Sequence, residues 1–338
     1  MTPSQFFGQK LAVGLLFFAD AGDLGIAKAA AGLGLGALGL SWLLGDRPLV
    51  LGGAVGWLLA GWFVLVGASI AWSLRPDFSR ATFLDGTKYV AIFFLVANAV
   101  DTAARARRLV HVIALASAIP AIGAISGWSR GLYLVEGDRA AWIGIFANPN
   151  DLAYYCVVGC ALSLGARELC GDRRALRLAH LLALGTMIAA ILLTQSRGGL
   201  ISTGVVCALW LLRHLRRARV LAAVVTIVGL ALWVGPAATW NRAGTTLHYD
   251  EDASAQGRID AWRTGLNVMR GRPLTGVGAG AFMFAWPEFA PGDAGDARTA
   301  HNTFVQVAAE TGLPSFALFV GAVLAAAFGL RPASHAAD

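Results

Sequence analysis

The chain has 338 residues, of which 57% are hydrophobic and only 14% charged, and its mean hydropathy is +0.63. A soluble domain carries about 25% charged residues, so this surface is too poor in charge to face water on all sides. The net charge of +7 does not point to nucleic acid, because the basic residues sit in short clusters between apolar runs and not on one broad face.

A helix that crosses the ~30 Å hydrocarbon layer needs about 20 apolar residues. Windows of that kind fall at 5–20, 24–44, 49–72, 82–100, 108–127, 149–166, 176–195, 198–212, 219–236 and 312–330. The expected fold is therefore all-α: a polytopic membrane helix bundle of about ten spans, with residues 1–338 forming a single integral membrane domain. The first window lacks a small-residue cleavage pattern and is followed at once by the second, so it reads as a span or anchor and not as a removed signal peptide. Cys156, Cys160, Cys170 and Cys207 show no CxxC spacing, which indicates neither a zinc site nor a disulfide framework. The sequence thus gives no metal ligands.

Orientation follows from the short loops. With the N-terminus inside, fourteen Lys and Arg fall on the inner side, among them Lys10, Arg47, Arg331 and the clusters in 101–108, 167–177 and 213–219. Five fall outside: Arg75, Arg80, Arg130, Arg139 and Arg197. The positive-inside bias then predicts a cytoplasmic N-terminus and puts the long segment 237–301 on the periplasmic side. Within that loop, Ser254 to Arg270 reads as a helix with Ile259, Trp262, Leu266 and Met269 at spacings of three and four. Phe282, Phe284, Trp286 and Phe289 suit an interfacial position. The expectation is a helix lying at the membrane surface, followed by a looped lid.

Several polar motifs interrupt the apolar pattern. Asn148-Pro149-Asn150-Asp151 has the residues of a helix start: a capping Asn, a Pro at the first helical position and an acid near the positive end of the dipole. Ser196-Arg197-Gly198-Gly199 separates two spans with almost no loop. Arg197 there either snorkels to the headgroups or presents a planar fork to phosphate oxygens. Arg258 opens the loop helix, where a cation opposes the dipole unless an anion is bound; the alternative is an ion pair with Asp260. Gly276 to Ala281 matches GxGxxA in form only, since no strand precedes it, and is expected as a flexible or closely packed turn. Asn302 has the place of an N-cap before a helix over 303–311, which Gly312 and Pro314 end. His301 has no such structural role where the loop re-enters the membrane. Glu310 lies deeper, and an intramembrane acid is expected to be functional.

Taken in order, FANPNDLAYY (146–155), LLTQSRGGLIS (192–202), GRIDAWRTGL (257–266), PLTGVGAGAF (273–282) and HNTFVQVAAETGLPSF (301–316) resemble the O-antigen ligase and O-antigen polymerase superfamily of bacterial membrane glycosyltransferases. In the first half the likeness is limited to hydropathy and the LDGTKYVAIFF run (84–94), and many relatives continue with one or two further spans beyond the point where this sequence ends. The resemblance implies transfer of a glycan from undecaprenyl diphosphate in the bacterial inner membrane, without nucleotide, metal or other cofactor. It also implies essential residues in the SRGG-like turn, early in the loop helix and in the HN motif, here Arg197, Arg258 and His301.

The chemistry of these residues agrees with that role. Two guanidinium groups can stabilise the departing diphosphate, and an imidazole titrating near neutrality can take the proton of the acceptor hydroxyl. Asn302 and Glu310 complete the expected substrate-binding set. The acceptor is open among a lipid A core sugar (ligase), the growing glycan (polymerase) and a protein side chain (oligosaccharyltransferase); the HN…ETG pattern favours the ligase type. The proposal requires Arg197, Arg258 and His301 to meet at one periplasmic mouth. A transporter would show two related halves with paired interior charges, whereas interior charges are few here (Lys28, Asp85, Lys88, His111, Glu310). An inactive scaffold in polysaccharide assembly is a further alternative.

Overall fold

A computed structural model describes residues 26–44, 49–214, 253–292 and 295–329. The expected spans 5–20 and 219–236, and the start of the long loop, lie outside the described residues. The chain order is α1 (Ile26–Leu43), α2 (Gly53–Ala68) tightening into a 3-10 turn (Ser69–Trp72), α3 (Pro76–Ala99), α4 (Ala103–Ala116) and α5 (Ala118–Ser129). A two-stranded hairpin, β1 (Leu134–Val135) and β2 (Arg139–Ala140), precedes α6 (Pro149–Glu168), α7 (Arg174–Thr194) and α8 (Arg197–His214). The chain continues with α9 (Ala253–Gly271), α10 (Trp286–Phe289) and α11 (Thr303–Gly329). The hairpin is the one departure from an all-α pattern among the described residues. It pairs Leu134 with Ala140 and Val135 with Arg139, antiparallel.

Among the described residues, four stretches are long and apolar enough to cross a membrane: Gly53–Trp72, Ala103–Ser129 (α4 running on into α5), Arg174–Thr194 and Thr303–Gly329. They correspond to the expected windows 49–72, 108–127, 176–195 and 312–330. The windows at 24–44, 82–100, 149–166 and 198–212 are helical, as α1, α3, α6 and α8.

The chain divides into two compact units, Met1–Gly34 with Val100–His248, and Leu35–Ala99 with Tyr249–Asp338. In the first, α5, α6 and α7 pack around Ala121, Ala124, Leu152, Cys156, Met187 and Ile191, all nearly or fully buried. Small residues at such contacts let helix backbones approach closely where no water is present to drive association. The helix start of α6 is as the sequence predicted: Asn148 Oδ1 accepts from the Asn150 N–H at 2.8 Å and Pro149 is the first helical residue.

In the second unit, α9 packs on α11 around Ala261, Val268, Val277, Phe282 and Ala309. The buried side of α9 carries the small residues Gly257, Ala261, Thr264 and Gly265 together with Val268, while Trp262 and Leu266 of the expected apolar stripe are exposed. Close helix contact selects small side chains, so Trp262 and Leu266 point away from the core, while Ile259 and Met269 are half-buried. Phe282, expected at an interface, is instead fully inside. Helix α11 contains the expected break, realised as a kink: Gly312 has φ 80° and ψ 166° inside the helix.

Candidate functional site

In the first unit, the SRGG turn is built from both sides. Gln195 closes α7 in the left-handed conformation, at φ 51°. Ser196 caps α8, its Oγ accepting from the Gly199 N–H at 3.2 Å. Arg197 is thereby the first residue of α8 and half-buried. The two glycines give α8 its approach to α6: a Cβ on Gly198 would enter the Tyr154 ring and hydroxyl, and one on Gly199 would stand 2.7 Å from the Ala153 Cβ.

The hairpin holds this turn. Arg139, buried in spite of its charge, donates from Nε to the Thr194 carbonyl at 2.9 Å, from Nη1 to Glu136 at 2.8 Å and from Nη2 to Asn150 Oδ1 at 3.0 Å. Next to it, Asp138 Oδ1 accepts from Gln195 Nε2 at 2.8 Å. One arginine therefore ties the hairpin, the start of α6 and the residue three before Arg197 into a single hydrogen-bonded unit. In the sequence Arg139 is only an outer-loop charge, because contacts 11 and 55 residues apart leave no local pattern.

In the second unit, α9 begins at Ala253. Arg258 consequently lies in its second turn, not at its first, and its own N–H is inside the helical ladder. The expected sharing of an anion with unpaired N–H groups of the helix start does not apply to it directly. Arg258 is half-buried, and one turn further on, Trp262 Nε1 donates to the Ala300 carbonyl at 2.8 Å. The Arg298 guanidinium lies against Gly257, where a side chain would exclude it. Residues 257–262 of α9 thus adjoin residues 298–300, so Arg258 lies on a segment packed next to the one that leads into His301. Arg298 was not singled out by sequence. His301 is exposed and held at φ 47°, a left-handed conformation that few non-glycine residues adopt. Asn302 caps α11, its Oδ1 accepting from the N–H groups of Phe304 and Val305 at 3.0 and 3.3 Å. Arg197 belongs to the other unit.

The glycine turn 276–281 is closely packed. Gly276, Gly278 and Gly280 all have positive φ, and a Cβ on Gly278 would stand 2.7 Å from the Ser73 Cα. On one side the turn bonds to the helix break: Val277 and Gly278 donate to the carbonyls of Ala309 and Glu310, and Leu313 donates to Pro273. On the other it meets the chain between α2 and α3, where Leu74 donates to Val277 and Ser79 Oγ to the Ala279 carbonyl. Glu310, buried, completes this packing. Its Oε2 accepts from the Gly280 N–H at 2.8 Å and its Oε1 from Gln306 Nε2 at 3.0 Å. At the start of α3, Arg75 is bracketed by the rings of Phe78 and Phe284 and hydrogen-bonds Asp77, holding that carboxyl below its ordinary range.

Residues 182–320 match the family described as O-antigen ligase. Along nearly its whole length, the chain is also similar to the exopolysaccharide production protein ExoQ of Rhizobium meliloti (strain 1021). The two are 26% identical over 335 residues, 94% of this chain and 75% of that protein. No solved structure matches. Together with the apolar helices, these matches define a membrane protein. They support the O-antigen ligase and polymerase superfamily as the family of this chain.

Proposed function

We propose that this protein moves a glycan from undecaprenyl diphosphate to an acceptor hydroxyl at the periplasmic face of the bacterial inner membrane, its N-terminus being cytoplasmic. The observation that carries this reading is the packing of α9 against the loop before α11, Gly257 against Arg298 and Trp262 against Ala300, which sets the segments bearing Arg258 and His301 next to each other beside the exposed Trp262 and Leu266. These two side chains suit a helix lying in the lipid interface, where a lipid-linked donor presents its headgroup.

In the proposed reaction the acceptor oxygen attacks the anomeric carbon and the bond to the diphosphate breaks. The lipid diphosphate leaves with the bonding electrons, and the acceptor proton passes to His301. Arg258 binds the diphosphate and stabilises its growing charge, usually the largest catalytic contribution where water is excluded; Arg197 of the SRGG turn is a second anion-binding residue of the reaction. No nucleotide or metal takes part in the transfer. Asn302 and Glu310 act on substrate only indirectly, by fixing the start of α11 and the glycine turn.

Two acceptors have support. The O-antigen ligase match over residues 182–320 favours transfer to a lipid A core sugar. The similarity to an exopolysaccharide production protein over 94% of this chain favours the growing glycan itself. Purified protein in nanodiscs with a lipid-linked repeat unit separates them. A polymerase makes a ladder of lengthened lipid-linked glycans with donor alone, whereas a ligase turns over only when the core acceptor is added. Full transfer by His301→Ala would defeat the base assignment. Uptake of solute by proteoliposomes lacking any lipid-linked glycan would replace the enzyme reading with a transporter.

A further inference from the structure

The first unit contains a second cluster of chemically active side chains that the transfer reaction does not use. His111 of α4, His180 of α7 and Cys170 of the turn between α6 and α7 are all buried, and one ligand atom from each lies within 4.8 Å of the others. The two imidazoles face each other, His111 Nδ1 standing 2.9 Å from His180 Nε2. The second nitrogen of His180, Nδ1, is buried without a hydrogen-bond partner among the described residues.

We propose that His111, Cys170 and His180 bind a zinc ion that clamps α4 to α7. Two imidazoles and a thiolate are the donor set that selects zinc over magnesium or calcium. Zinc bonds of about 2.0–2.3 Å set tetrahedral ligand atoms roughly 3.3–3.7 Å apart. The imidazole nitrogens need to part by a few tenths of an ångström from their hydrogen-bonded separation, and the sulfur needs to move inward. Cys170 is free to do so, since its Sγ makes only a 3.4 Å contact to the Ala166 carbonyl and forms no disulfide. Arg107 and Arg173 act electrostatically on His111, and Arg167 on His180. The fourth position is left for water.

The site is distinct from the SRGG turn. His180 and Thr194 are separated by fourteen residues of α7, about 21 Å at 1.5 Å per residue, so the ion has a structural role at the end of the unit that carries the basic loops. Sequence spacing could not reveal it, because the ligands come from two helices and a turn, 59 and 10 residues apart.

The test uses the full chain purified in detergent with a non-histidine tag and no chelator. Elemental analysis is expected to give about one zinc per chain, falling to background in His180→Ala and Cys170→Ser. Cobalt(II) added to metal-stripped wild type is expected to give the ligand-field bands of a tetrahedral site and a thiolate charge-transfer band, which Cys207→Ser retains. Folded wild type that holds no zinc and gives no thiolate–cobalt band overturns the proposal even if the ligand variants do not fold. Copper in place of zinc, or a thiolate band that survives Cys170→Ser, overturns it as well.

Discussion

Arg139 donates its Nε–H to the main-chain carbonyl of Thr194 at 2.9 Å, across 55 residues of sequence. The bond matters because Thr194 is the last residue of α7, whose terminal carbonyls have no partner within the helix. Arg139 supplies one, and its two remaining arms reach Glu136 and Asn150. The turn that presents Arg197 is thus fixed from outside by a residue with no place in the proposed chemistry.

Arg139→Ala should therefore weaken both fold and turnover. Loss of one hydrogen bond from a charged donor costs ~1.5–3 kcal/mol, and the Thr194 carbonyl and Asn150 lose their partner together. Thermal unfolding of the purified protein should show a clear drop in midpoint, and glycan transfer should fall by more than the unfolded fraction explains. Arg139→Lys, which keeps the charge but not the fork, should lie between the two. Wild-type activity in a folded Arg139→Ala would remove the hairpin from any account of Arg197.

At His301, conformation and chemistry can be separated. Its φ of 47° costs a residue with a Cβ on the order of 1–3 kcal/mol, a cost that glycine does not bear. His301→Gly and His301→Ala both lose whatever the imidazole contacts, so His301→Gly should be the more stable of the two, since His301→Ala keeps the strain. If the imidazole is the proposed base, both variants should lose transfer by about 10²–10⁴-fold. Should His301→Gly transfer at the wild-type rate, the position serves only the geometry of the loop.

Much of this was legible in sequence because it depends on local chemistry. The Asn148 and Asn302 caps, the helix through Arg258 and the break at Gly312 each follow from a few adjacent residues. What stayed hidden depends on packing between distant segments. The inward side of α9 is marked by small residues, so apolar periodicity favoured the opposite, bulkier side. Arg298 and the His111–Cys170–His180 cluster likewise acquire meaning only through neighbours far along the chain. Glu310 was recognised as unusual, but the partner that explains it, the Gly280 N–H, is 30 residues away.

Glu310 offers a direct comparison of packing with substrate contact. Glu310→Gln keeps an acceptor for the Gly280 N–H, and the Gln306 amide can turn to accept from the new NH2 group. It should leave stability and transfer close to wild type. Glu310→Leu strands that N–H against the helix break and should cost ~1–3 kcal/mol, read as a lower unfolding midpoint. A large loss of transfer in a stable Glu310→Gln would instead mean that the negative charge itself contacts substrate.

The contact between Gly198 and Tyr154 allows the close approach of α8 and α6 to be tested as a pair. In an ordinary helix, Gly→Ala stabilises by about 1 kcal/mol. Here the added methyl would collide first with the Tyr154 hydroxyl and would also crowd the ring, 3.1 Å from its Cζ. Overpacking of that kind costs typically 1–3 kcal/mol, so Gly198→Ala alone should destabilise. Tyr154→Phe removes the atom nearest the new Cβ. In that background Gly198→Ala should approach neutrality, giving a favourable coupling of roughly 0.5–3 kcal/mol in a double-mutant cycle of unfolding midpoints. Simple additivity of the two changes would mean that the glycine is needed for something other than making room for Tyr154.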